Sequence, residues 1–192
     1  PTPAPGQVLP PDAPAPGQIP DVLQIESVPT GVVVGPDGAL YVSEFTGFPF
    51  PEGKARIFRV GLDGATTVYA DGFTQLADLE FDKQGNLYAL QYGNSPQWEG
   101  ISDASVIQIA PDGARTVLAS GNGLESATAL TVGSDGAIYI ANKGDRASLG
   151  QVLRIESKAK VNEPSTIVGA LLLSAFGLSS FHKRKRRQIQ VV

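Results

Sequence analysis

Cysteine and methionine are absent from the 192 residues, and histidine occurs once. Without cysteine the chain has no disulfides, no zinc-thiolate site and no thiol nucleophile. The one histidine, His182, lies in a basic tail, which argues against a catalytic histidine and against a site built from several histidines. Because methionine is missing, residue 1 is not a natural start, and we expect a processed chain or the carboxyl part of a longer one.

Charged residues are also scarce, at 18%, whereas Gly (22) and Pro (15) are abundant. This mixture favours short strands joined by many turns over a helical bundle. Residues 1–160 contain 10 Lys and Arg against 18 Asp and Glu. An acidic body lacks the basic face that phosphate contacts need, so we expect no nucleic-acid partner.

The carboxyl end has a different pattern from the body. Residues 165–181 are uncharged, and as a helix they would rise roughly 26 Å, close to the ~30 Å of a bilayer core. They predict one transmembrane helix, the alternative being a buried core helix with a solvated tail. The basic tail (182–187) would hold that end in the cytoplasm. Its cations are Lys183, Arg184, Lys185, Arg186 and Arg187.

The order of motif, apolar span and basic cluster resembles the PEP-CTERM sorting signal. The motif consists of Val161, Asn162, Glu163 and Pro164, with Asn162 in place of the first proline of the family's Val-Pro-Glu-Pro box. The resemblance implies recognition by a membrane exosortase. It also implies a body exported to the periplasm or beyond, initially anchored in the inner membrane. We assign residues 161–188 to this signal.

The body is a repeat. Tyr41, Tyr88 and Tyr139 occupy one position in three aligned segments, which are Val33–Glu44, Glu80–Gln91 and Thr131–Asn142. A second element recurs between them, in Arg56–Gly72, in Ser105–Gly121 and in part in Gln151–Ile155. A period near 50 residues with four strands per unit is typical of β-propeller blades.

We therefore predict an all-β fold of about two and a half to three four-stranded antiparallel blades in residues 27–158. Residues 1–26 are predicted to be a Pro-rich linker or loop. So few blades do not close a ring of the usual six. Either further blades belong to a longer chain, or several chains assemble.

Most of the predicted hairpins contain an Asp before a Gly, as in Asp37-Gly38. Such an Asp bonds its own backbone, whereas a calcium ligand is the alternative reading. Gln84 replaces the Asp in the second repeat, which favours the structural role.

The strand pattern resembles NHL-type and lactonase-type six-bladed propellers. Residues 27–60, and the Phe48–Pro51 turn above all, resemble the ScyD/ScyE family of exported cyanobacterial proteins; the likeness extends over residues 27–156. That family is associated with scytonemin gene clusters, which implies an accessory role in scytonemin production as one alternative function.

Two candidate sites follow from the repeat. The loops after the second strands should project from one end, and they hold a possible ligand face of Phe48, Phe50, Tyr92 and Trp98, unless these rings only pack the loops. In lactonase-type propellers, oxygen ligands near the axis bind one divalent cation. The resemblance makes Glu44 and Asn142 weak candidates for such ligands, with Asp78 and Glu80 nearby in the chain.

The leading functional hypothesis is an exported, envelope-associated binding or scaffold module that is not an enzyme and has no catalytic residues or required cofactor. Its partners would be the membrane, an exosortase and an unknown extracellular ligand or protein. The alternative is a metal-dependent lactonase-like or hydrolase-like enzyme with a divalent cation at the axis.

Overall fold

The computed structural model describes residues 26–96 and 103–156, together with the backbone of 189–191. All its regular elements are strands. They are β1 (Pro29–Val34), β2 (Leu40–Glu44), β3 (Ala55–Val60), β4 (Thr66–Phe73), β5 (Leu76–Phe81), β6 (Leu87–Gln91), β7 (Asp103–Ile109), β8 (Arg115–Glu125), β9 (Ala129–Val132), β10 (Ile138–Asn142), β11 (Gln151–Ile155) and β12 (Ile189–Val191).

The strands form three antiparallel sheets of four, each in the strand order of one propeller blade. We call β1–β4 blade A, β5–β8 blade B and β9–β12 blade C. The inner strand β5 packs against β1 on one side and β9 on the other, so the three blades stand side by side with their first strands innermost. The all-β fold and the blade architecture predicted from the repeat are confirmed.

Two hydrophobic cores fill the spaces between neighbouring blades. The first lies between blades A and B around Ile57, Phe73 and Leu87, and the second lies between blades B and C around Leu90 and Ile140. Blade B is covered on both faces, and every residue of β6 is buried. Its near-continuous apolar strand sequence is the expected pattern for a strand packed on both sides.

The hairpin aspartates are structural, as predicted. Asp37, Asp63, Asp112 and Asp135 each accept a hydrogen bond from the backbone N–H two residues onward, at 3.0–3.2 Å. In the second repeat the same role belongs to Asp82, which lies two residues before the position that Asp occupies in the other repeats. Its carboxylate accepts hydrogen bonds from the backbone N–H groups of residues 84 and 86. The turn chemistry is therefore preserved although the sequence position of the Asp changes.

The fourth strand of blade C comes from the end of the chain. Residues 189–191 pair antiparallel with 153–155, so β12 covers the edge that β11 would otherwise leave unpaired. The sequence analysis assigned no strand there. Residues 161–188, which include the predicted sorting motif and transmembrane segment, lie outside the described residues. Within the described residues there is no helix long and apolar enough to cross a membrane.

Candidate functional site

Three connections, each joining the second strand of a blade to the third, lie at one end of the blades, which we call the loop end. They comprise residues 45–54, 92–102 and 143–150, of which 97–102 are outside the described part. Each connection begins with a backbone N–H that donates to the segment entering the inner strand. These bonds are Phe45 to Val28 (2.8 Å), Tyr92 to Gln75 (2.9 Å) and Lys143 to Glu125 (3.0 Å). The recurrence of this bond puts the three loops at the same end.

Glu44 ends the second strand of blade A, where its side chain is 1% exposed. Arg56 donates from Nε to Oε2 at 2.8 Å and from a terminal nitrogen to Oε1 at 3.0 Å, which makes a bidentate pair. Burial raises the pKa of Glu44, but hydrogen bonds from Arg56 and Ser27 and the charge of Arg56 outweigh it. The net pKa lies below the ordinary value, so Glu44 is ionised and paired.

The equivalent residues in the other blades also make structural hydrogen bonds. In blade B, Gln91 Oε1 accepts from the Thr74 N–H at 2.7 Å, and Nε2 donates to Ser105 Oγ at 2.9 Å. In blade C, Asn142 Oδ1 accepts from the Glu125 N–H at 2.9 Å. Each of these side chains fastens the segment that enters the inner strand to the end of the second strand.

A divalent cation does not fit Glu44 and Asn142. Both oxygens of Glu44 are engaged by Arg56, and the amide oxygen of Asn142 is bonded to backbone. In the described ranges no group of three His, Asp or Glu side chains comes together to hold a metal ion. We therefore derive no chemical step through a metal.

The predicted aromatic face is assembled in part. Phe50 makes edge-to-face contacts with Phe48 and Phe45 at centroid distances of 6.1 and 6.0 Å, and Phe45 contacts Tyr92 at 5.7 Å. The Tyr92 hydroxyl donates to Asp145 Oδ2 at 3.0 Å, which extends the contacts from the blade A loop to the blade C loop. Trp98 lies outside the described residues. Phe45, another aromatic residue of these loops, links the set.

Gln75 is the functional candidate that the sequence analysis missed. It precedes β5 at the loop end, is fully buried, and has a positive φ of 49°. Neither its Nε2 nor its Oε1 has a hydrogen-bond partner among the described residues. Thr46 is also fully buried, with an unpartnered hydroxyl and a φ of 46°. The sequence did contain a sign of this residue, because the repeat aligns the polar Gln75 with the apolar Val28 of blade A.

Asp78 and Glu80 lie on the inner strand β5 rather than at the loop end. Asp78 Oδ2 accepts from the Leu130 N–H of blade C at 2.9 Å and Oδ1 from the Leu79 N–H at 2.9 Å, so this carboxylate joins two inner strands. The pKa of Glu80 is raised, first by burial and then by the charge of Asp78. Asp78 is thus a structural link, and Glu80 is a carboxyl group whose ionisation the fold disfavours.

Comparison with solved structures shows likenesses of fold. A candidate gluconolactonase matches with a TM-score of 0.50 and 19% identity, over 69% of this chain and 46% of that one. The virginiamycin B lyase from Staphylococcus aureus matches with a TM-score of 0.49 and 16% identity, over 71% of this chain and 43% of that one. A streptogramin B lyase gives a TM-score of 0.37 and 13% identity, over 70% of this chain and 56% of that one.

The likeness to the candidate gluconolactonase is one of fold, and it agrees with the propeller blades described above. The chain spans less than half the length of the first two structures that it matches. No family model matches the sequence, and no curated protein matches it.

The comparisons correct one expectation. We expected the chain not to be an enzyme, and this expectation is contradicted, because a solved structure that shares its fold is named as a candidate gluconolactonase. The scarcity of histidine and the absence of cysteine were too weak a basis for that expectation.

Proposed function

We propose that this chain supplies three blades of a propeller enzyme that hydrolyses a small cyclic ester bound at the loop end. The observation that carries the proposal is the buried Gln75 carboxamide, which has no partner among the described residues, because buried polar groups in proteins are nearly always hydrogen-bonded. The fold shared with a candidate gluconolactonase supports a lactone as the substrate class.

The loop end offers both kinds of contact that such a ligand needs. The Gln75 Nε2 group can donate to an ester carbonyl, and Oε1 can accept from a hydroxyl. The rings of Phe48, Phe50 and Tyr92 supply apolar surface at the same loop end. Aromatic rings combined with a few polar groups are typical of small-molecule binding sites.

The reaction is the addition of water to the ester carbonyl. The ring C–O bond breaks, the proton passes to the departing ring oxygen, and a hydroxy acid forms. In this reaction Gln75 binds and orients the ester, and the aromatic residues exclude water from its apolar face. No step is assigned to Glu44 or Asn142, whose polar groups hold the fold together.

Hydrolysis of glucono-δ-lactone above its spontaneous rate tests the proposal, with the Gln75→Leu variant beside the wild type. Because leucine removes an unpaired buried carboxamide, we expect the variant to be at least as stable as wild type and to lose most of the rate above background. Gln84→Leu, in the exposed hairpin at the other end of blade B, is the matched control. Equal rates for wild type and Gln75→Leu would overturn the proposed role of Gln75, and a wild-type rate no higher than background would overturn the proposed reaction.

We also propose that the protein is exported and sorted through residues 161–188, as the resemblances to PEP-CTERM and ScyD/ScyE proteins imply. Support comes from the uncharged span 165–181 and the basic tail that follows it. If 165–181 crosses a membrane, residues 189–191 lie on the opposite side from the blades. The sorted form would therefore lack the pairing of β12 with β11.

The absence of cysteine makes this topology directly measurable. A membrane-impermeant maleimide should label Leu62→Cys, an 88% exposed site in blade A, in intact spheroplasts. It should label Gln188→Cys only after permeabilisation. Labelling of both sites before permeabilisation would contradict the spanning arrangement, and unchanged processing of Glu163→Ala would contradict recognition of the motif by an exosortase.

A further inference from the structure

One face of blade A is apolar and uncovered. Val32, Val34 and Val68 are 64%, 62% and 51% exposed, far above the exposure of core residues. The strand register places these side chains in two rows that cross the sheet, Val32–Val42–Phe58–Val68 and Val34–Leu40–Val60. We call these seven residues the blade A open face. A contiguous apolar surface of this kind marks an interaction site.

The repeat shows what this face is built to contact. Its counterparts in blade B are buried against blade A: Leu79 for Val32, Leu87 for Leu40 and Ile109 for Val60, with exposures of 3%, 0% and 2%. Their register is the same, since Leu79 faces Ala89 across the sheet as Val32 faces Val42. The blade A open face therefore has the form of a face that packs against another blade.

Blade C has an uncovered face of the complementary kind. The blade C open face, as we call it, consists of Ala129, Thr131, Tyr139, Ala141, Val152 and Arg154. Four of these six residues are exposed, namely Ala129, Thr131, Ala141 and Val152. In blade A the counterparts of Tyr139 and Arg154 are Tyr41 and Arg59. The Tyr41 ring packs edge-on against Phe81 of blade B at a centroid distance of 4.9 Å.

We infer that two copies of this chain close a ring, each blade C open face packing on the blade A open face of the other copy. Both new interfaces would repeat the contact already made between blades A and B. Tyr139 would then contact Val34 of the second copy, because Val34 is the counterpart of Phe81. The inference goes beyond the proposed lactone chemistry and does not depend on it.

The charge on the blade C open face and the length of the matched part of the chain both agree with a second copy as the partner. Arg154 is paired with Asp135 at 3.0 Å, as Arg59 is with Asp37, so closure brings no uncompensated cation against the valines. The matched part of this chain corresponds to 46% of the candidate gluconolactonase, and two copies would account for roughly nine tenths of that propeller. A head-to-tail interface used twice closes after two subunits and leaves no open end.

Cysteine cross-linking tests the inference in this cysteine-free chain. We expect Val34→Cys/Tyr139→Cys to form a covalent dimer on mild oxidation, in a detergent that covers the apolar span 165–181. A mixture of the two single variants should give dimers that contain one copy of each. Neither single variant should cross-link alone, because in this arrangement residue 34 meets residue 139 and not its own copy.

Each other outcome overturns the inference. A double variant that stays monomeric at high protein concentration would mean that other blades or another protein cover the open faces. Cross-linking of Val34→Cys alone would mean that two blade A faces meet each other. Ladders longer than a dimer would mean that the ring does not close. Glucono-δ-lactone turnover plays no part in the readout, so failure here is distinguishable from failure of the proposed function.

Discussion

At the scale of single residues, one repeat position is filled by three different side chains that do one task. Glu44, Gln91 and Asn142 each secure the entry to an inner strand, although one of them is charged. Blade A combines Glu44 with Arg56, and blade B combines Gln91 with Ser105 at the matching positions. The sequence showed the variation, but the partners that explain it lie on other strands.

We expect the pair at this position to be exchangeable between blades. We expect Glu44→Ala to lower the free energy of unfolding by about 1–3 kcal/mol, because it leaves the partly buried Arg56 without its carboxylate. Glu44→Gln/Arg56→Ser, which copies blade B, should recover most of that loss. Urea unfolding measures both, and a double variant no more stable than Glu44→Ala would contradict the shared role.

The ionisation of Glu80 should make the free energy of unfolding depend on pH, and the direction of its pKa shift fixes the sign. Its folded pKa is raised above the ordinary 4.5, so its contribution to stability is fully present below that pH and is lost as pH rises through the folded value. Glu80→Gln should therefore be more stable than wild type near neutral pH, and the difference should disappear under acidic conditions.

Glu44→Gln should show the opposite dependence of stability on pH. Urea unfolding at a series of pH values measures both variants. The pKa of Glu44 is lowered, so its stabilisation is present above 4.5 and is lost as pH falls through the folded value. The stability difference between wild type and Glu44→Gln should therefore shrink on acidification. The same pH trend for both variants would contradict the assigned environments.

At the scale of elements, the repeat and its turn residues predicted the hairpins of the blades, because hairpin chemistry is local. They did not give the full strand lengths, since the apolar run 116–118, for example, is only part of β8 (Arg115–Glu125). The strand β12 was not predictable, since its pairing with β11 is set by a free sheet edge more than thirty residues away in the chain. The pairing of Glu44 with Arg56 was not predictable for the same reason, because sequence spacing did not show that Arg56 faces it.

The inner strands meet closely at Gly31. A Cβ added there would lie 2.8 Å from Asp78 Oδ1 and 2.9 Å from Ser43 Oγ, which is tighter than real contacts. We expect Gly31→Ala to destabilise the protein by about 1–3 kcal/mol through overpacking between blades A and B. Gly150→Ala, with no atom within 4 Å and no positive φ, is the control and should change stability by less than about 0.5 kcal/mol. Equal effects of the two variants, measured by urea unfolding, would contradict this close approach.

At the scale of the whole molecule, the two open faces are the main consequence of having three blades. The blade A open face repeats a surface that is buried elsewhere in the same chain, so its exposure is a property of the single copy. The sequence predicted that so few blades do not close a ring, and left open whether a longer chain or several chains would complete it. The repeat aligns Val34 with Phe81 and Tyr139 with Tyr41, and the structure adds that Tyr41 and Phe81 are in contact, which gives the residue pair expected to meet between two copies.

The mass of the protein in solution is the most direct test of this account. Sedimentation equilibrium in a density-matched detergent should give about twice the chain mass of 20.0 kDa for the wild type and for Leu62→Glu, whose side chain is 88% exposed in the turn between β3 and β4 and is not one of the seven open-face residues. Leu40→Glu, which places a charge on the blade A open face, should give the mass of one chain. A wild-type mass of one chain, or a mass unchanged by Leu40→Glu, would contradict the closed ring of two copies.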